Sequence, residues 1–169
     1  VLFTGEYEHT IDAKQRLAIP AEVRQRMNPE AHGESFYLVP GANGALWLWP
    51  ERTFERMASA MEQSLLPGEE MMDFDELMFP QSRRLEIDKR GRVRLPDQTL
   101  SEYGLGQTVM ILGMKDHLEL RDPAQWQEQR RENMQKRRDI MLRARQVMNR
   151  PQGAGGNGSL PLGGQKEGS

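Results

Sequence analysis

There is no cysteine among the 169 residues of this chain. That excludes disulfides and thiolate metal sites, and it suits a reducing compartment. Histidine is almost as scarce, and His9, His32 and His117 share no metal-ligand spacing. No apolar run approaches the roughly 18 residues of a membrane span, and Glu6, Glu8 and His9 interrupt the short apolar start where a secretory signal would need continuity. Glycine-rich phosphate loops, nucleophile elbows and His-Glu zinc motifs are missing as well. Asp73, Asp75 and Glu76 cluster, but no base or histidine lies beside them. These absences predict a protein that is not an enzyme and has no cofactor, no metal and no small-molecule substrate.

Charge is present in quantity but unevenly placed. The net charge is −2, and 28% of residues are charged. Arg83, Arg84, Lys89, Arg90, Arg92 and Arg94 face only Glu86 and Asp88 within their stretch. Residues 130–150 are equally basic, with Arg130, Arg131, Lys136, Arg137, Arg138, Arg143, Arg145 and Arg150. The acids gather in the middle, from Glu51 to Glu76. A chain segregated in this way can show a basic face to a polyanion while remaining acidic overall.

An internal repeat organises the chain. Ile11-Asp12-Ala13-Lys14-Gln15-Arg16-Leu17-Ala18-Ile19-Pro20 matches Ile87-Asp88-Lys89-Arg90-Gly91-Arg92-Val93-Arg94-Leu95-Pro96. Both read apolar-Asp-x-x-x-Arg-apolar-x-apolar-Pro. Further on, the segment from Gly41 to Trp49 aligns without gaps to the segment from Gly113 to Arg121, and Phe54 falls on Trp126. Each copy predicts strand, turn, strand, short helix, hairpin and a longer helix. In the first, the strands fall at residues 7–11, 17–19, 36–39 and 45–49, and Gly41-Ala42-Asn43-Gly44 makes the hairpin. Pro20 opens a helix that Asn28-Pro29 stops. The second copy places strands at 84–87, 92–95, 107–112 and 117–120.

Phe54, Met57, Ala58, Met61 and Leu65 form an amphipathic stripe on the first long helix. Asp122, Pro123 and Gln125 cap the second, whose sparse stripe is Trp126, Met134, Ile140, Met141, Val147 and Met148. The predicted boundaries are a first unit at 2–66, an acidic linker at 67–80, a second unit with a basic helix at 81–150, and a disordered tail at 151–169.

The Asp-x-x-x-Arg-apolar-x-apolar-Pro blocks resemble the AbrB/SpoVT superfamily. The opening Phe3-Thr4-Gly5-Glu6-Tyr7, together with the tandem copy, is similar to the MraZ family in particular, over roughly residues 2–145. The resemblance implies an α+β, β-rich fold in which tandem AbrB-like units form a pseudo-symmetric swapped-hairpin β-barrel with flanking helices. It implies closed homo-oligomeric rings that bind short direct repeats of double-stranded DNA and regulate the bacterial division and cell-wall gene cluster, their own promoter included. It implies a cytoplasmic, nucleoid-associated protein whose DNA-facing residues are Lys14, Arg16, Arg24, Lys89, Arg90 and Arg92. One departure stands out: Gln15 occupies the position where the family usually has glycine, whereas Gly91 keeps it. If that position needs φ > 0, glutamine carries a strain that glycine avoids.

Several residues admit two readings. Asp12/Arg16 and Asp88/Arg92 are surface ion pairs, or they are buttressed turns in which Asp holds an outward Arg suited to bidentate contact with phosphate or a guanine edge. Lys14, Lys89 and Arg90 would then position the protein on phosphates. Trp47 and Trp49 alternate with Leu46 and Leu48, which reads as a sandwiched core strand or as a subunit interface. The basic C-terminal helix is a solvated face, a DNA contact or an inter-subunit element. The methionines read as core filler. An oligomeric interaction scaffold and an antitoxin-like partner-binding protein are the competing functions.

Overall fold

In the computed structural model, residues 1–61 and 64–149 are described. They fall into two compact units, residues 1–130 and 131 onward. The expected tail at 151–169 lies outside the described residues.

The first repeat supplies β1 (Glu6–Thr10), β2 (Arg16–Ala18), α1 (Ala21–Arg26), α2 (Pro29–His32), β3 (Ser35–Pro40), β4 (Leu46–Pro50) and α3 (Glu51–Ala60). Next comes α4 (Glu69–Met78). The second repeat supplies β5 (Arg83–Glu86), β6 (Arg92–Arg94), α5 (Asp97–Glu102), β7 (Thr108–Gly113), β8 (Leu118–Arg121) and α6 (Pro123–Gln135), followed by α7 (Arg137–Met148). The fold is α+β with antiparallel strand pairing.

The strand order is β1-β7-β8-β4-β3-β5 in a six-stranded sheet, with β2-β6 as a separate two-stranded ladder. Exchanging the repeats maps this order onto itself, so the β4–β8 seam marks a pseudo-twofold axis. The first strand of each repeat pairs in the other repeat: β1 with β7, and β5 with β3. The two repeats are therefore woven together rather than strung as beads.

Alternation explains which faces are buried. In the β2–β6 ladder Leu17 sits opposite Val93, and both are buried. With Ile19, Leu95, Phe36, Leu38, Leu48, Ile111, Leu118 and Leu120 they form one core shared by both repeats. Each strand of the ladder has three residues, too short to be stable without this apolar anchoring.

Three local outcomes differ from the sequence reading. Asn28-Pro29 ends α1 but also starts α2, because the Asn28 side chain accepts from the N–H groups of Glu30 and Ala31 and Pro29 takes the first helical position. The Phe54 stripe ends at Met61, the C-cap of α3, and Leu65 is fully exposed. The acidic stretch at 67–80 contains α4, held to the body by apolar contacts that its charge density concealed: Phe79 packs edge-on against Phe54 and Phe74.

The Asp122 N-cap of α6 follows expectation, with the Gln125 N–H donating to Asp122 Oδ1 at 3.0 Å. The basic helix is interrupted at Lys136, which separates α6 from α7.

Gln15 has φ 61° and Gly91 has φ 74°. Both turns thus use the left-handed region, which costs a non-glycine residue about 1–2 kcal/mol. Glycine gives back about 0.4–1 kcal/mol through unfolded-chain entropy. Gln15→Gly is expected to stabilise the protein by about 0.5–1 kcal/mol, read as a rise of roughly 2–4 °C per kcal/mol in a thermal melt. An unchanged or lower midpoint would show that the glutamine side chain has compensating contacts.

Candidate nucleic-acid interface

Each repeat motif folds as a turn tied by its aspartate. Asp12 Oδ1 accepts from the N–H groups of Lys14 and Arg16, both at 2.9 Å, and Oδ2 accepts from Arg16 Nε at 2.7 Å. Asp88 repeats the pattern: Oδ1 accepts from the N–H of Arg90 at 2.8 Å and of Arg92 at 3.0 Å, and Oδ2 from Arg92 Nε at 2.9 Å. The turns then lock onto the opposite strands. Leu95 N–H donates to Gln15 O, and Ile19 N–H donates to Gly91 O. An ion pair is present in both turns, and it also fixes the backbone. The aspartate converts two otherwise unpaired N–H groups into turn hydrogen bonds.

These bonds hold both carboxyls ionised. Backbone and side-chain donation from Arg16 places the Asp12 pKa below its ordinary value. The Arg92 guanidinium, aided by the N–H groups of Arg92 and Arg90, draws Asp88 down to about 2. A depressed carboxylate contributes stability that is present above the usual value of about 3.9 and is lost as pH falls through the folded value. The Asp88 turn is therefore expected to come apart between about pH 4 and pH 2. Asp88→Asn should flatten that limb of a stability-versus-pH curve, and an unaltered limb would show that other carboxylates control it.

The two turns are not equivalent. The Arg92 Nη2 lies 2.7 Å from Asp88, and its Nη1 reaches back to within 3.8 Å of Asp12. Arg92 bridges both aspartates, and its side chain keeps 21% exposure against 31% for Arg16. Arg16 uses only Nε, and its terminal nitrogens have no hydrogen-bond partner among the described residues.

The expected DNA-facing residues gather around the ladder. Lys14, Lys89 and Arg90 are exposed at the turn tips. Arg24, on α1, donates from Nε to Ile19 O at 3.1 Å and lies over the second turn. A Cβ on Gly91 would sit 2.5 Å from that same Nε. Glycine is thus favoured at 91 by its φ, and a side chain there would displace the flexible Arg24 side chain. Lys89 and Arg24 line one shallow cavity beside Asp88.

The sequence reading missed Arg94 as a site residue. It is exposed, sits directly opposite Arg16 in the ladder, and has no ion-pair partner among the described residues. The signal was available: Arg92-Val93-Arg94 alternates, so a buried Val93 sends both arginines to the outer face. That face carries Arg16, Ala18, Arg92 and Arg94.

The tryptophans correct another expectation. Leu46 and Leu48 are buried in the core, whereas Trp47 and Trp49 are half-buried on the opposite face. The strand is not sandwiched between two apolar layers. Trp47 and Trp49 cover His117, with ring centroids 4.7 and 4.4 Å from it. Beneath lies Glu119, only 2% exposed, which accepts from both Arg121 Nε and Nη2 and from Asn43 Nδ2.

Among the described residues no group of three or more His, Cys, Asp or Glu side chains could hold a metal ion. No described helix is long and apolar enough to cross a membrane.

Two interlocked copies of a buttressed Asp–Arg turn define a tandem-repeat α+β protein with a mostly antiparallel sheet. A family model described as "MraZ protein, putative antitoxin-like" matches residues 2–75 and 78–146. A protein of Roseiflexus sp. (strain RS-1) named "Transcriptional regulator MraZ" is 34% identical over 127 residues, which cover 75% of this chain and 85% of the relative. Proteins of the same name from Leuconostoc citreum (strain KM20) and Acetivibrio thermocellus are 32% identical over 126 residues and 30% identical over 127, with the same coverage. The chain belongs to the MraZ family.

Proposed function

We propose that this protein is a sequence-specific, double-stranded-DNA-binding transcriptional regulator that uses the outer face of the β2–β6 ladder and its two turns. The observation that carries the reading is the Arg16–Arg94 pair. Like charges directly opposite in a ladder destabilise the free protein. Asp12 offsets Arg16, so the surplus positive charge on this face is carried by Arg94, and a phosphate backbone supplies a row of anions to meet it. A two-stranded ribbon also fits the B-DNA major groove. Lys14, Lys89 and Arg90 would position the ribbon on phosphates, Arg24 would reinforce the second turn, and Arg16 would offer its fork to a base edge. Asp12 and Asp88 hold the turns in shape.

Family membership supports the wider reading. In it the swapped-hairpin units close as a barrel, and chains assemble into closed rings. The rings engage short direct repeats upstream of the division and cell-wall gene cluster, including the protein's own promoter. The protein would act in the cytoplasm at the nucleoid.

The test is binding to the duplex upstream of the protein's own gene across a salt series. If Lys14, Lys89, Arg90 and Arg94 each neutralise one phosphate, the log–log salt slope is about −3.6 per bound chain. A scrambled duplex should bind more weakly at every salt concentration. An interaction scaffold or an antitoxin-like protein whose partner is a polypeptide would show no steep slope and no preference between duplexes.

A further inference from the structure

The α3–α4 surface is rich in aromatic and methionine side chains. Phe54 of α3 stacks on Tyr37 and meets Phe79, which in turn meets Phe74 of α4. Outside this aromatic seam a groove of about 270 Å³ runs between the helices, lined by Ala58, Met61, Pro67, Met71 and Phe79 with the Asp75 carboxyl among them. Met71 and Phe79 are exposed there, and Met57 and Met72 are exposed nearby. Methionine-rich surfaces adapt to an apolar partner, and exposed apolar patches of this kind mark interaction sites. An acidic flank adjoins it: Glu69 and Glu76 follow i, i+7 on an exposed side of α4 next to Met72, and Asp75 lies in the groove itself.

Helix α7 has the complementary pattern. Ile140, Met141, Ala144, Val147 and Met148 follow i, i+1, i+4, i+7, i+8, one apolar stripe along the helix. Arg143 flanks it on one side, and Arg138 and Arg145 on the other. Every described residue from 131 to 149 is exposed. Among the described residues, no carboxylate lies within ion-pair distance of Arg138 or Arg145. One surface is apolar with acidic borders, the other apolar with basic borders, and both belong to one chain.

We propose that α7 of one copy docks in the α3–α4 groove of a second copy. Such a contact joins two different surfaces, so it propagates head to tail and closes a ring when its rotation allows. Apolar burial supplies the attraction, while the arginine and carboxylate borders set direction and exclude other partners. The inference rests on the closed-oligomer reading and names the surfaces that would build it. It also gives the acidic stretch and the basic C-terminal helix one shared purpose.

The absence of native cysteine makes the test clean. Chains carrying only Met71→Cys and chains carrying only Val147→Cys are mixed and treated with a short bismaleimide. A covalent species of two chains, twice 19.4 kDa, is expected from the mixture and from neither variant alone. A chain carrying both cysteines should give multimers. If it gives only an internally linked monomer, the helix occupies its own groove and the proposal fails.

A charge exchange makes the second arm. The Glu69→Lys/Asp75→Lys/Glu76→Lys chain and the Arg138→Glu/Arg143→Glu/Arg145→Glu chain should each self-associate at least about tenfold more weakly than wild type. Mixed together they should reassemble, since each then meets an opposite border. Circular dichroism establishes that both remain folded. Wild-type-like assembly by both single variants overturns the proposal and leaves the oligomer reading intact. A wild-type protein that sediments as a monomer overturns both.

Discussion

Arg16→Ala is expected to cost about 1–3 kcal/mol per base contact and to erase most of the preference for operator over scrambled DNA. The ladder geometry gives the reason. Arg16 spends Nε on Asp12 and keeps its terminal nitrogens available, a planar fork of the shape that meets guanine O6 and N7. If several chains of an oligomer sit on repeated sites, the losses multiply, and operator binding should fall below detection. Arg16→Lys should rescue little, because an ammonium cannot reproduce the fork. Arg92→Ala should behave differently. Its guanidinium is committed to Asp88 and reaches Asp12, so its loss loosens both turns and weakens binding to any duplex alike. The measurement is affinity for operator and scrambled duplexes, after sedimentation has established that each variant assembles as wild type does. An Arg16→Ala protein that assembles normally and keeps full operator affinity would remove this motif from DNA recognition.

The second large effect concerns stability. Glu119→Ala is expected to destabilise the protein by about 3 kcal/mol, at the lower end of the range for breaking a buried ion pair. The substitution strands Arg121, whose side chain is only 19% exposed and is stacked near Trp126. It also removes the acceptor for Asn43, which tethers the β3–β4 hairpin and accepts from Trp47 Nε1. Glu119→Gln keeps the shape and should cost less. A urea titration separates the variants, and a loss under about 1 kcal/mol for Glu119→Ala would show that water enters and replaces the carboxylate.

The same cluster sets a pH window. Burial opposes ionisation of Glu119, but the His117 ring 3.7 Å away and donation from Arg121 and Asn43 outweigh it and lower the pKa. Burial likewise opposes protonation of His117, but the Glu119 and Asp116 carboxylates outweigh it and raise the pKa. The carboxylate's contribution is lost as pH falls through its depressed value. The imidazolium's is complete below about 6.5 and is lost as pH rises through its raised value. His117→Gln should abolish the alkaline loss in a series of melts from pH 6 upward.

Why was this cluster invisible beforehand? Glu119 aligns with Trp47 in the repeat, and the two turn out to be partners across the pseudo-twofold seam. An alignment shows that two positions are equivalent, and it is silent on whether they touch. A lone glutamate in a strand reads as solvent-facing, and only the tryptophans of the other repeat bury it. Helix α4 was hidden for a related reason. Its acids dominate the composition, while Phe74 and Phe79 find their partners on α3 and on each other.

Local chemistry fixed much of the rest. Alternation placed Leu17 and Val93 inside, the Asp-x-x-x-Arg spacing defined both turns, and Asp122-Pro123 started α6 where it begins. All of these depend on residues within a few positions of one another, and sequence contains that information directly. The pairing of β1 with β7 and of β3 with β5, the Arg16–Arg94 juxtaposition and the burial of Glu119 join residues from opposite repeats. The β1–β7 exchange brings together positions about a hundred residues apart. Such contacts form only once the shared core has closed and its loop-closure entropy has been overcome, so tertiary structure alone decided them.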